Sequence, residues 1–236
     1  MDIIDIAGLT PVQLDSLTAI YLEAFGVPWE MPAAKLPDFA RRRVGDSMAG
    51  RALALLDEEA VVGFALCDYL PESNLLHLKY LAVDQARRNQ GSGARLLDAV
   101  AATGETIAHA AGRNGCRGVL IEIEIPDSPP PDADRSLRTR RIAFYERNGA
   151  LITGVPYPRP PWAPPEQPDF ELMLLPGGAW AGGVLPGVLD AATRRDLGRA
   201  LMVEGYGADP EAAWFAEYLD GIAPPAAVCD AHGAML

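Results

Sequence analysis

The chain has 236 residues, 49% of them hydrophobic and 22% charged, with a formal net charge of −12 at pH 7, which suits one sizeable core with a short extension better than two full domains. No apolar run is long enough to span a membrane, and Asp2 and Asp5 stand where a secretory signal would be basic and then apolar. No membrane partner is expected, the setting is the cytoplasm, and with Lys35 and Lys79 the only lysines nucleic acid is excluded as an expected partner too.

In chain order, residues 2–6 read as a strand and 11–25 as a helix with Thr10 as N-cap and Leu14, Leu17, Ile20, Tyr21 and Ala24 on one face. A second, shorter helix is expected over 33–44, its end marked by Arg41, Arg42 and Arg43 as a solvated last turn. The apolar runs 51–57 and 61–70 flank the acidic pair Asp57 and Glu58 and read as an antiparallel hairpin. Strand 75–83 then feeds through a short basic loop into a helix over 91–111, which Gly112 and the Asn114-Gly115 turn signal close. A strand over 118–125, an acidic proline-rich loop, a helix over 136–148 ended by Gly149, and strands 150–156 and 170–175 complete the pattern. Between the last two strands the proline-rich segment 156–168 cannot pair centrally and is expected to lie over an opening in the fold.

Beyond the glycine-rich stretch 177–187, helical segments over 189–204 and 210–219 form an extension, so the division is a catalytic domain at 1–176 and a helical extension at 177–236. The extension's apolar sets Leu189, Leu197, Leu201 and Trp214, Phe215, Leu219 could serve a homodimer. Cys67, Cys116 and Cys229 are an odd number without metal spacing, which predicts free thiols in a reducing compartment and no metal site.

The segment running from Leu78 to Leu97 carries the chemistry. The N–H groups that open a helix lack partners and sit at the positive end of its dipole, so a diphosphate can dock there. Gly91 and Gly93 let the backbone approach, and Arg87 and Arg88 add positive charge. Neither a dinucleotide GxGxxG with its later acid nor a GK[ST] nucleotide loop fits the spacing. With Arg88, Gly91 and Gly93 after a strand ending Leu-Ala-Val-Asp, the sequence resembles the GNAT N-acetyltransferase superfamily and its [RQ]xxGx[GA] signature, over roughly residues 1–175. The resemblance implies the GNAT acyl-CoA N-acyltransferase fold: a mixed, mostly antiparallel α/β sheet, splayed at its middle and flanked by helices. It implies acetyl-CoA as co-substrate, with the backbone of Leu81, Ala82 and Val83 against the pantetheine arm and Arg88, Asn89, Gln90, Gly91, Ser92, Gly93 and Ala94 around the pyrophosphate.

A second element, Phe144-Tyr145-x-x-x-Gly149-Ala150, resembles the family's helix ending in FYxxxGF and puts Tyr145 in the position of the general acid. A phenol, with a reference pKa near 10 against about 8.5 for a thiol, can protonate the departing thiolate. Some relatives carry asparagine seven residues earlier, where this chain has Arg138. His77 stands fourteen residues before Gly91, where arylalkylamine-acetylating members have histidine and histone-acetylating members glutamate, and could accept the amine's proton. Alternation over 119–125 sends Glu122 and Glu124 to one face. They either line a wet cavity, where one attracts or deprotonates a cationic amine, or meet arginines such as Arg138 and Arg141. Tyr21, Trp29, Trp162 and Tyr206 are aromatic candidates for the acceptor pocket.

The function so implied is N-acetyl transfer to a primary amine of a small molecule by direct attack in a ternary complex. The alternatives are a protein lysine or N-terminal acetyltransferase and a non-catalytic acyl-CoA-binding module.

Overall fold

The computed structural model describes residues 1–26, 30–36, 50–128, 135–157, 168–180 and 189–222. Seven strands form one sheet in the order β1-β2-β3-β4-β5-β7-β6. They are β1 (Asp2–Asp5), β2 (Gly50–Asp57), β3 (Ala60–Leu70), β4 (Leu75–Val83), β5 (Gly118–Glu124), β6 (Leu151–Pro156) and β7 (Phe170–Pro176). Every pairing is antiparallel except β4 with β5, because β4 and β5 are joined by a crossover through a helix, a connection that brings the chain back in the same direction.

Local chemistry sets the elements. Thr10 and Gln13 cap helix α1 (Pro11–Phe25) reciprocally: the Gln13 N–H donates to Thr10 Oγ1 at 3.3 Å and the Thr10 N–H to Gln13 Oε1 at 3.0 Å. Glu58, at φ +56°, turns the β2–β3 hairpin at the acidic pair. Of the expected second helix only the start is described, a 3₁₀ turn over Ala33–Lys35 followed by Leu36. The rest of that stretch, with Arg41 to Arg43, lies outside the described residues.

On one face of the sheet, helix α2 (Ser92–Ala110) buries Leu96, Leu97, Val100 and Ile107 against Ala65, Leu76, Leu78, Val119, Ile121 and Met173, with Tyr145 of helix α3 (Arg135–Arg147) in the same cluster. The other face is divided. Helix α1 packs Leu17, Ile20 and Tyr21 against Ala54, Phe64 and Leu66. The C-terminal helices α4 (Ala191–Arg199) and α5 (Ala213–Asp220), with the π-helical stretch Ala200–Gly205 that continues α4, cover the far half.

In that second half most of the apolar residues named for a partner pack on the sheet, with Trp214 and Leu219 partly buried. Leu189, Leu197, Ala200, Leu201, Met202, Phe215 and Ile222 are buried with Leu70, Leu75, Leu120, Leu172 and Leu174 of the sheet. A buried large apolar side chain is worth roughly 1.5–3 kcal/mol before the entropy of ordering it, so the docked helices are held to the sheet by a continuous apolar contact. Among the described residues, no helix is long and apolar enough to cross a membrane.

Candidate active site

Strands β4 and β5 pair only from Leu75↔Gly118 to Leu78↔Ile121. Beyond that point they part, leaving residues 79–83 of β4 without a strand on that side and Glu122 to Glu124 without β4. On its other edge β4 carries a bulge: Leu66 pairs with Tyr80 but Cys67 with Leu78, so Lys79 is the extra residue. A bulge shifts the alternation by one. Leu76 and Leu78 before it, and Leu81 and Val83 after it, pack on the α2 face, whereas Leu75, Tyr80 and Ala82 pack on the opposite one. His77 and Tyr80 therefore share a face that strict alternation would have given to His77 and Lys79.

The strand ends in a loop built to leave donors free. Asp84 accepts from the Ala86 N–H and fixes a 3₁₀ turn over Gln85–Arg87. Gly91, at φ +82°, then opens α2 with no atom within 4 Å of where a Cβ would stand. None of the backbone N–H groups of Asn89 to Ala94 donates to a described carbonyl, and the buried Ser92 hydroxyl has no partner. Gly93 lies against Phe144, whose ring would be 3.2 Å from a Cβ there. Arg87 pairs with Asp57 at 2.9 Å and Arg88 with Glu23 at 2.8 Å, while Arg88 Nε donates to the Val83 carbonyl at 3.1 Å. Their side chains brace the loop and the backbone presents the positive field.

On the opposite face, where the strands part, His77 and Glu122 come together, with Nε2 3.5 Å from Oε2. His77 is fully buried and neither ring nitrogen has a hydrogen-bond partner. Gly205 packs on it, a Cβ there falling 3.2 Å from Nδ1. The Tyr206 hydroxyl donates to the Glu122 carboxylate, and the Tyr157 hydroxyl donates to that of Tyr206 at 3.3 Å. Lys79 lies 5.2 Å from the Tyr206 ring centre and 3.4 Å from the buried Asp68 carboxylate. Burial alone would raise the Glu122 carboxyl; the neighbouring His77, the Tyr206 hydrogen bond and the Lys79 charge outweigh it and hold it below the ordinary carboxylate range. Burial and the Glu122 charge push the Tyr206 phenol well above its usual value.

The two β5 carboxylates have different partners. Glu124 meets Arg138 at 3.0 Å and Arg141 at 3.3 Å, and the buried Arg138 also donates to the Ile125 and Ser128 carbonyls. Glu124 pins helix α3, and Glu122 stands where β4 and β5 part, beside His77 and Tyr206. Tyr145 lies on α3 beside Phe144, nearly buried, with no hydrogen-bond partner among the described residues; burial pushes its phenol up to about 12. Tyr21 is core rather than lining: it is 1% exposed and donates to the Met31 carbonyl. Trp29 and Trp162 lie outside the described residues, as do Cys229 and most of the proline-rich segment.

Three contributors went unsuspected from sequence. Glu30 accepts from the Tyr80 hydroxyl at 2.9 Å, Tyr157 closes the chain of phenols to Glu122, and Lys79 sits on the bulge. Only the glycine loop and the Phe-Tyr element carry a local signature; these three acquire their setting from the sheet.

The model of the acetyltransferase (GNAT) family matches residues 14–150. No curated protein matches the chain. Among solved structures, one described as a GNAT-family acetyltransferase from Bacteroides thetaiotaomicron aligns with a TM-score of 0.55 at 20% identity, over 89% of this chain and 100% of that one. An aminoglycoside 6'-N-acetyltransferase complexed with coenzyme A aligns at 0.53 and 18% identity, over 74% and 97%. A ribosomal-protein-alanine N-acetyltransferase from Brucella melitensis aligns at 0.52 and 17%, over 74% and 98%.

Proposed function

Because the chain belongs to the acetyltransferase (GNAT) family, with acetyl-CoA as co-substrate, we propose that it acetylates the primary amine of a small cationic molecule by direct attack in a ternary complex. One observation carries the reading: the gap between β4 and β5 opens toward the free N–H groups of α2 and, on the acceptor side, toward Glu122 with His77 and Tyr206.

The loop fits the co-substrate. Its unpaired N–H groups, the orphan Ser92 hydroxyl and the open space over Gly91 suit a pyrophosphate held by Arg88 to Ala94, and the unpartnered edge of β4 at Leu81, Ala82 and Val83 suits an extended arm. Acetyl-CoA supplies an acyl group already activated as a thioester.

The chain's own groups do the rest. Glu122, ionised where the strands part, attracts the ammonium form of the acceptor and takes a proton from it as the nitrogen becomes nucleophilic. His77 is too buried to touch the acceptor and acts by holding the charge of Glu122. Tyr145 keeps its proton throughout the neutral range and is the donor for the thiolate. Tyr206 reaches the site from the C-terminal helices and roofs it, which supports a small acceptor over a protein segment lying in an open groove. The buried free thiols Cys67 and Cys116 fit a reducing, cytoplasmic setting.

The test is release of CoA from acetyl-CoA with polyamines, arylalkylamines, amino acids, aminoglycosides and lysine peptides as acceptors. Turnover of a small cationic amine, lost in Glu122→Gln, supports the reading; turnover confined to peptides refutes the small-acceptor assignment.

A further inference from the structure

We propose that acceptor binding is set from outside the family domain by a positioning residue, Glu204, whose clamp on the β3–β4 turn holds Tyr206 on Glu122 and Gly205 on His77. The inference rests on the reading of Glu122 as the amine site.

The family match ends at residue 150, so these groups come from chain that the family pattern does not cover. At the exit of the π-helical stretch three consecutive residues meet three different parts of the sheet. Glu204 accepts the backbone N–H groups of Glu72 and Ser73 at 2.8 and 3.0 Å, and the Ser73 hydroxyl as well. A Cβ at Gly205 would stand 3.2 Å from His77 Nδ1, so the backbone lies on the ring. Tyr206 sets its ring 5.6 Å from that of His77, edge to face, and donates to Glu122. The chain then turns away through Gly207, at φ +69°. A helix end frays unless something holds it, and Tyr206 is 42% exposed, so the hold comes from its neighbour.

The turn that Glu204 grips is itself fixed. Asn74, buried and at φ +56°, accepts from the Tyr69 hydroxyl at 2.7 Å and donates to the Gly115 carbonyl at 2.9 Å. Arg117 donates from its backbone to the Asn74 carbonyl at 2.9 Å and from its side chain to that of Ser73 at 3.1 Å, and Arg113 donates to the Pro71 carbonyl. A carboxylate accepting three donors from so firm a turn makes directed, charge-assisted bonds. A second tie between the extension and this region, Arg117 with Asp196 at 2.6 Å, lies on α4, ahead of the π-helical stretch.

The groups that act on Glu122 are His77 and Lys79 from β4 and Tyr206 from the extension; Glu30 and Tyr157 feel its charge, and Glu124 follows on the same strand. Of these, Tyr206 is the one that the clamped segment carries. Loosening the clamp should withdraw its contribution and leave those of β4 in place.

The experiment uses the full chain, saturating acetyl-CoA and the fastest acceptor of the amine panel, in wild type, Glu204→Gln, Ser73→Ala, Asp196→Asn, Tyr206→Phe and the double variant Glu204→Gln/Tyr206→Phe. Glu204→Gln should raise the acceptor KM by about 3–10-fold, leave kcat within about twofold, and move the acidic limb of kcat/KM to higher pH, as Tyr206→Phe does. Ser73→Ala should do the same to a smaller extent, and the double variant should be no worse than Tyr206→Phe, because the two residues act through one contact. Asp196→Asn should move neither KM nor the limb, and a retained thermal shift with acetyl-CoA shows each variant folded. A Glu204→Gln variant with KM and limb unmoved, or one whose effect adds in full to that of Tyr206→Phe, overturns the proposal and spares the amine reading. Turnover that survives Glu122→Gln, or no turnover with any amine, overturns both.

Discussion

The hydroxyl of Tyr206 donates to both carboxylate oxygens of Glu122, at 2.7 and 2.6 Å, across 84 residues of sequence. It does so because Glu204, at the end of the π-helical stretch, accepts the backbone N–H groups of Glu72 and Ser73 at 2.8 and 3.0 Å, together with the Ser73 hydroxyl. The β3–β4 turn thus latches the segment that carries Tyr206.

Tyr206→Phe should therefore raise the acceptor KM by about tenfold, as expected for loss of a hydrogen bond to a charged group. The sign for pH follows from the same contact. Tyr206 is one of the groups that lower the Glu122 pKa, and the carboxylate is the working form, so the acidic limb of kcat/KM should move to higher pH in the variant. A pH profile, with acetyl-CoA binding measured in parallel, checks it; an unmoved limb and unmoved KM would remove Tyr206 from the acceptor site.

Tyr145→Phe should lower kcat by about 10²–10⁴ with acetyl-CoA affinity retained, the range for loss of a general acid. Because burial puts the phenol at about 12, its proton is lost only as pH rises toward that value, and the wild-type rate should show no alkaline limb from this group below pH about 10. Steady-state kinetics with an alkaline pH series decides the matter.

Ser92→Ala separates a binding from a structural role. The Ser92 hydroxyl is buried and unpartnered in the absence of ligand, so its removal should leave the ligand-free Tm unchanged or slightly higher. If the hydroxyl meets a phosphate, the Kd for acetyl-CoA should rise by about 3–10-fold. Calorimetric titration and a melting curve on the same preparation read both.

Glu124→Gln should act chiefly on stability. Arg138 is 4% exposed and loses the charge that matches it, a change worth about 2–3 kcal/mol once the partial exposure of Glu124 and the remaining carbonyl contacts are allowed for. The Tm should fall by several degrees, and kcat/KM at a permissive temperature should fall less than in Glu122→Gln. The reverse order would make Glu124 the amine-facing carboxylate.

Much of the fold was legible because its signals are local. The apolar run from Leu75 to Val83 defines β4 to the residue, and the Thr10 cap, Gly91 and Gly149 delimit helices where expected. What escaped is non-local. The face shared by His77 and Tyr80 depends on a bulge set by pairing with β3. Which carboxylate meets arginine depends on where α3 crosses the strand end, and Tyr206 depends on the docking of the C-terminal helices. Glu30 had no pattern to reveal it, its setting being the hydroxyl of a residue 50 positions away.

The bulge at Lys79 has one more effect, on how mutations in β4 would be tolerated. Before it, the even-numbered Leu76 and Leu78 line the α2 core; after it, the odd-numbered Leu81 and Val83 do. A saturation scan along the strand would accordingly show two tolerance rhythms out of step with each other. The point where they change over would mark the bulge, beside the place where β4 leaves β5.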